Sequence, residues 1–386
     1  MDELNDIEDQ VPPTFEATFA EPTFVEPEQR PVMELLYKMD YERAAHAIGE
    51  VERRKAVKYE VSLIGQDTKR WHEAGVFVLA QADRDVLQSA MDGTLPQRML
   101  GDLRNRAQGP RDATAWKDRP DPVIYLNFIA DRDGLGLSCD DMELFLDALE
   151  IGARLKNDLD GRFTKSGKTL AQGVDYFFNL RGGHGQWTTF LQTVDQESLE
   201  TVVCSLVTHF RTRIIPATRQ AGLKHVMLKA EVGWSMKGYM RFQDHANLAP
   251  SSPHAFRLAQ LVLWHLFPER HFHLHQVVLF EILAEEHAAI GESVASQLCA
   301  SYTTYGGFNA EQAGLLVQDA EHASGRDWTE IRAYAVDHEH HYFRRMEANI
   351  ASMKSLYNRE LADATAALND QRAGQRVNGP PPPRPT

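Results

Sequence analysis

Cysteine is scarce: Cys139, Cys204 and Cys299 are the only three in 386 residues. They are odd in number and widely spaced, which excludes a disulfide framework and a paired-thiol metal knuckle. Reduced thiols point to an intracellular protein, nuclear or cytoplasmic and not secreted. The acidic opening Met1-Asp2-Glu3 agrees, having neither the basic nor the apolar region of a secretory signal. Long apolar runs are also missing, none approaching the ~18 residues of a membrane span, so no membrane association is expected. There is no internal repeat and no Gly-x-Ser-x-Gly nucleophile elbow. Gly134-Leu135-Gly136 and Gly182-Gly183-His184-Gly185 lack the Lys-Ser/Thr pair of a phosphate loop. Cys204 sits on a buried helical stripe without a base partner, which argues against a thiol nucleophile.

What is present is unevenly distributed charge. The formal net charge is −14. Residues 1–30 hold nine acids against Arg30 alone, whereas the stretch from Arg211 to His245 holds seven Lys or Arg against Glu231 and Asp244. The overall acidity excludes a general nucleic-acid coat and leaves a local site for an anionic ligand.

The spacing of apolar residues predicts a helix-rich α+β protein: a small mixed sheet flanked by helices, with a large helical insertion and a long C-terminal helix. Residues 1–30, acidic and with four prolines, read as a disordered tail, and 31–120 as a helical region. Residues 121–312 form the core, with an insertion at about 138–222, followed by a helical extension over 313–370. The proline-rich end, 371–386, reads as a disordered tail. A helix is expected from Met33 to about Arg54, then a strand over Val57–Leu63. Ser138 caps a helix through Ala153. Another carries Leu199, Val202, Val203, Leu206 and Phe210 and stops before Pro216, and a third opens at Ser252-Pro253 and ends before Pro268. Strands are expected over Val123–Ile129, Val226–Gly233 and Phe272–Ile282. A long helical pattern runs from Trp328 to about Leu368.

Arg241 and His245, four apart on an expected helix, share a face. An Arg fork suits a phosphate, and a neighbouring His can move a proton. Glu292, on another helix, suits a divalent cation that neutralises a scissile phosphate. The order of these residues, with Val123-Ile124-Tyr125 and Glu231-Val232-Gly233 on strands and Asn309 after Gly306-Gly307, resembles a divergent GIY-YIG nuclease domain of the kind found in uncharacterised fungal proteins. The resemblance implies metal-dependent cleavage of DNA or RNA with Mg²⁺ or Mn²⁺ on Glu292. Tyr125, Arg241 and His245 would be catalytic, and Gly233 and Asn309 supporting. Arg211, Arg213, Lys229 and Lys237 are the expected nucleic-acid contacts. Two departures stand out: 108 positions separate Tyr125 from Gly233, and Glu231 stands where the family has Tyr. They leave open a second expectation, a catalytically inactive scaffold that binds proteins through its C-terminal helix or proline tail. His271, His273 and His275 alternate on a strand, and His338 and His341 share a helix face. Both groups read as polar surface rather than as zinc ligands.

Overall fold

The computed structural model describes residues 20–59, 68–104, 121–155, 165–182, 190, 196–310, 313–314, 317–338 and 340–377. The N-terminal helices are α1 (Arg30–Tyr37), α2 (Tyr41–Tyr59), α3 (Thr68–Gln81), α4 (Arg84–Met91) and α5 (Leu95–Leu100). Strand β1 (Val123–Ala130) leads into α6 (Cys139–Arg154), α7 (Lys165–Gly182), α8 (Gln196–His209) and α9 (Ile215–Gln220). Next come β2 (Glu231–Ser235), α10 (Gly238–Ala246), α11 (His254–Leu266), β3 (His273–Glu281) and α12 (Glu285–Leu298). The chain then forms α13 (Gln318–His322), α14 (Gly325–His338) and α15 (His340–Val377).

The architecture is the helix-rich α+β one, but the three strands, in the order β2-β1-β3, pair antiparallel rather than as a mixed sheet. Strand β1 is central, so its eight residues are all buried. Ile124, Leu126 and Phe128 face a core shared with α2, α3, α4 and α12, while Ile129 faces a second core built from α6, α7, α8 and α11. Side chains alternate across a strand, so one apolar strand serves both cores. Val123, Tyr125, Phe242 and Val278 form a third, small cluster beneath α10.

Several expected boundaries move. The helix over Met33–Arg54 is two, because Met39 takes a left-handed φ of 58° between α1 and α2. Val57–Tyr59 end α2 rather than start a strand, and 60–63 lie outside the described residues. Pro216 does not stop its helix. The backbone widens into a π-helical turn over Phe210–Ile214, and Pro216 falls in the first turn of α9, where its missing N–H is not needed. The strand expected from Val226 begins only at Glu231, and Val226 makes a lone bridge to Leu137. The long C-terminal pattern divides into α14 and α15.

The expectation of a disordered tail through residue 30 fails for 20–29, while 1–19 lie outside the described residues. This segment lies against the body. Glu26 is fully buried, 2.8 Å from His209 Nε2 and 3.4 Å from Arg213. Glu21 meets Lys224 and His225, and Gln29 Nε2 donates to the Leu298 carbonyl. The acidic start therefore neutralises part of the basic stretch. Among the described residues, no helix is long and apolar enough to cross a membrane.

Candidate active site

The register of β1 against β2 sets Tyr125 opposite Gly233 and Asn127 opposite Glu231, with all four on one face of the sheet. The tyrosine ring crosses over Gly233: a Cβ there would lie 2.1 Å from Tyr125 Oη. Only glycine permits that approach. On the outer side of β2, Asn309 Oδ1 accepts the Val232 N–H at 3.2 Å and its Nδ2 donates to the Val232 carbonyl at 2.8 Å. The amide thus occupies the edge that a further strand would otherwise pair with. Gly306, at φ 79°, shapes the turn leading to it.

Helix α10 starts hard against β1, since a Cβ on Gly238 would meet Val123 Cγ2 at 2.6 Å. It presents Arg241 and His245 to the sheet. Arg241 Nε donates to Tyr125 Oη at 2.9 Å, and His245 Nε2 lies 3.0 Å from the same oxygen. His245 Nε2 is also 3.8 Å from Glu231 Oε2. Asn127 Nδ2 donates to that carboxylate oxygen at 2.5 Å. Glu292 comes from α12 on the opposite face, where Gly291 packs against Ile124. Its Oε2 accepts the Gly314 N–H at 2.8 Å.

Burial governs the electrostatics. Tyr125, Glu231 and His245 are no more than 2% exposed, whereas Arg241 and Glu292 are half-buried. Burial pushes the Glu231 carboxyl up to about 7, opposed by Arg241 and the Asn127 bond and reinforced by Glu292. Burial likewise raises Glu292 to about 7, opposed by the Gly314 N–H and Arg241. Burial, then the Arg241 charge, hold His245 well below 6.5, so the imidazole is neutral at physiological pH. Tyr125 is pushed well above 10, chiefly by burial and then by Glu231. It is a hydrogen-bonding hydroxyl rather than a standing phenolate.

The structure brings Tyr125, Arg241 and His245 into contact, with Gly233 beneath the tyrosine ring, whereas Glu292 comes from the other face of the sheet and bears on Tyr125, Glu231 and Arg241 through its charge alone. It does not gather the expected nucleic-acid contacts. Arg211 is spent on Glu143, Asp147 and Glu150. Arg213 is spent on Glu26 and Glu28. Lys229 lines a small apolar cavity with Phe24, Met91 and Cys299, where burial lowers its pKa. Lys237 alone of the four is exposed near the site, one turn before Arg241. Lys237, Arg241 and His245, each four apart, make a stripe running from exposed through half-buried to buried.

The histidine alternation is not a polar strand face. His271 precedes β3 in a left-handed turn, His273 is exposed, and His275 is buried with its pKa lowered to about 4, by burial and then His273. The side chains of His338 and His341 lie outside the described residues. Among the described residues no three or more His, Cys, Asp or Glu come together to hold a metal. A lone carboxylate such as Glu292 falls short of zinc's ligand set and could meet Mg²⁺ or Mn²⁺ only where waters and substrate oxygens supplied the rest.

The residues that sequence reasoning missed are Asn127 and Gln276, and Glu231 as a member of the site. Gln276 Nε2 donates to Asn127 Oδ1 at 3.3 Å and to the Phe242 carbonyl at 3.1 Å. The available signal was a polar residue inside each apolar strand. No family model, curated protein or solved structure matches the chain.

Proposed function

We propose that this chain is a divalent-cation-dependent nuclease that hydrolyses phosphodiester bonds in DNA or RNA. The observation that carries the reading is the meeting, through one tyrosine hydroxyl, of an Arg and a His from a helix more than a hundred residues away in sequence. Glu292, from the other face of the sheet, bears on Tyr125 and Arg241 through its charge. In this reading Arg241, with Lys237 above it, binds the phosphate. Arg241 now covers the Tyr125 hydroxyl, and its move onto phosphate uncovers that oxygen for the attacking water. Glu292 would hold Mg²⁺ or Mn²⁺, which supplies charge neutralisation on the phosphate when bound. The resemblance to GIY-YIG nucleases agrees with this assignment of roles.

The burial of Tyr125, Glu231 and His245 favours a second reading, an inactive scaffold in which the same cluster only holds the sheet together. Incubation of the purified chain with plasmid DNA and with RNA in Mg²⁺ or Mn²⁺ separates the two. The nuclease reading expects cation-dependent cleavage that Glu292→Ala abolishes. Intact substrate with wild-type protein, or equal cleavage by the variant, supports the scaffold.

A further inference from the structure

Three polar side chains stand directly opposite one another across the three strands: Glu231 on β2, Asn127 on β1 and Gln276 on β3. They share the sheet face that carries Tyr125 and lies under α10. Asn127 Nδ2 donates to Glu231 Oε2 at 2.5 Å, and Gln276 Nε2 donates to Asn127 Oδ1 at 3.3 Å. The same Gln276 nitrogen donates at 3.1 Å to the backbone carbonyl of Phe242, the residue after Arg241 on α10. That carbonyl fixes the polarity of the row. It can only accept, so Gln276 must turn its NH₂ toward α10 and Asn127, and Asn127 must then turn its own NH₂ toward Glu231. A carbonyl has two lone pairs, so the bond is compatible with α10 staying helical.

Arg241, the Phe242 ring and His245 all converge on Tyr125, the ring edge-on at 5.6 Å between centroids and the other two on the hydroxyl. A helix held at one ring can still turn about it. The Gln276 bond to the Phe242 backbone supplies a second fixed point, on a different strand. We infer that Gln276 is a positioning residue: its bond to the Phe242 carbonyl sets the rotation of α10 that brings Arg241 and His245 onto Tyr125, and its bond to Asn127 ties Glu231 to the same restraint. For its catalytic consequence the inference rests on the nuclease reading, which it deepens. Gln276 acts through α10 and Asn127, holding Arg241 where it can exchange the Tyr125 hydroxyl for a phosphate oxygen. Small misplacements of such groups are costly, since about 1 Å can cost roughly 100-fold in rate.

The test compares Gln276→Met and Gln276→Leu, which keep much of the side chain's bulk and remove its donors, with Val277→Ala. Val277, the next residue of β3, points into the core on the opposite face, so its truncation loses packing without touching the polar row. In ¹⁵N NMR of the histidine rings, the His245 Nε2 signal is expected to shift in both Gln276 variants and to hold its wild-type position in Val277→Ala. An unshifted signal in either Gln276 variant, or a comparable shift in the control, overturns the positioning role. Single-turnover cleavage of a labelled oligonucleotide in Mg²⁺ should fall roughly 10–100-fold in the Gln276 variants and stay near wild type in Val277→Ala. Wild-type rates in the Gln276 variants overturn the inference as well. A shifted His245 signal in a protein whose wild type cleaves nothing supports the positioning and counts against the nuclease reading.

Discussion

Gly233 shows how much one side chain's absence controls. Because the Tyr125 hydroxyl sits where a Cβ would stand, Gly233→Ala must push the ring off β2 and break its bonds to Arg241 and His245. The expected cost is about 1–3 kcal/mol in denaturant unfolding, together with loss of any cleavage. Glu231 carries the opposite signature, a group the fold holds at some cost. Its folded pKa, about 7, lies above the unfolded value of 4.5. Stability from this group is fully present below pH 4.5 and is lost as pH rises through 7. Glu231→Gln is expected to be more stable than wild type by roughly 2–3 kcal/mol at pH 8 and equal to it at pH 4. Urea titrations at the two pH values check this. The shared face of Arg241 and His245 was legible from their spacing of four on a helix, whereas their meeting with Tyr125 rested on the order of motifs along the chain. Asn127 and Gln276 were not legible, because a lone polar residue in a strand does not reveal what lies opposite until the register is known.

Edge strand β2 is five residues long and depends on what covers it. Asn309 supplies both halves of a backbone pairing to Val232, the residue between Glu231 and Gly233. Asn309→Ala is expected to cost about 1–3 kcal/mol and to speed amide hydrogen exchange at Val232 more than at the centre of β1. Unchanged exchange at Val232 would sink this account of the edge. Strands β1 and β3 and helices α6 and α11 were legible from periodicity and capping. The Met39 break was not, because left-handed backbone at a methionine has no composition signal. The continuation of helix past Pro216 was equally hidden, since it depends on the π-helical turn before it.

At the scale of the whole molecule, the contrast between an acidic start and a basic stretch turns out to be largely internal. Glu21, Glu26 and Glu28 pair with Lys224, His225, His209 and Arg213, so the basic stretch is not a free surface. For Glu26, burial alone would raise the carboxyl, but His209, Lys229 and Arg213 together hold it below 4.5. Its contribution is present above pH 4.5 and lost as pH falls through the lower folded value. Glu26→Gln should therefore cost about 1–3 kcal/mol at pH 7 and far less near pH 3, read by thermal unfolding at each pH. At the other end, α15 is anchored as far as Tyr357 and Glu360, which meet Asp40 and Arg43, while Leu361 and Leu368 beyond them are exposed. Of the disordered tail expected over 371–386, residues 371–377 instead continue α15 as helix, and 378–386 lie outside the described residues. The central claim concerns the Tyr125–Arg241–His245 meeting and the carboxylate beside it. Single-turnover cleavage of labelled DNA and RNA, with Mg²⁺ and with EDTA, tests it most directly when wild type is set beside Arg241→Ala. The account predicts cation-dependent cleavage by wild type, reduced roughly 10²-fold or more in the variant. Uncut substrate with wild type, or cleavage that neither EDTA nor the substitution alters, contradicts it.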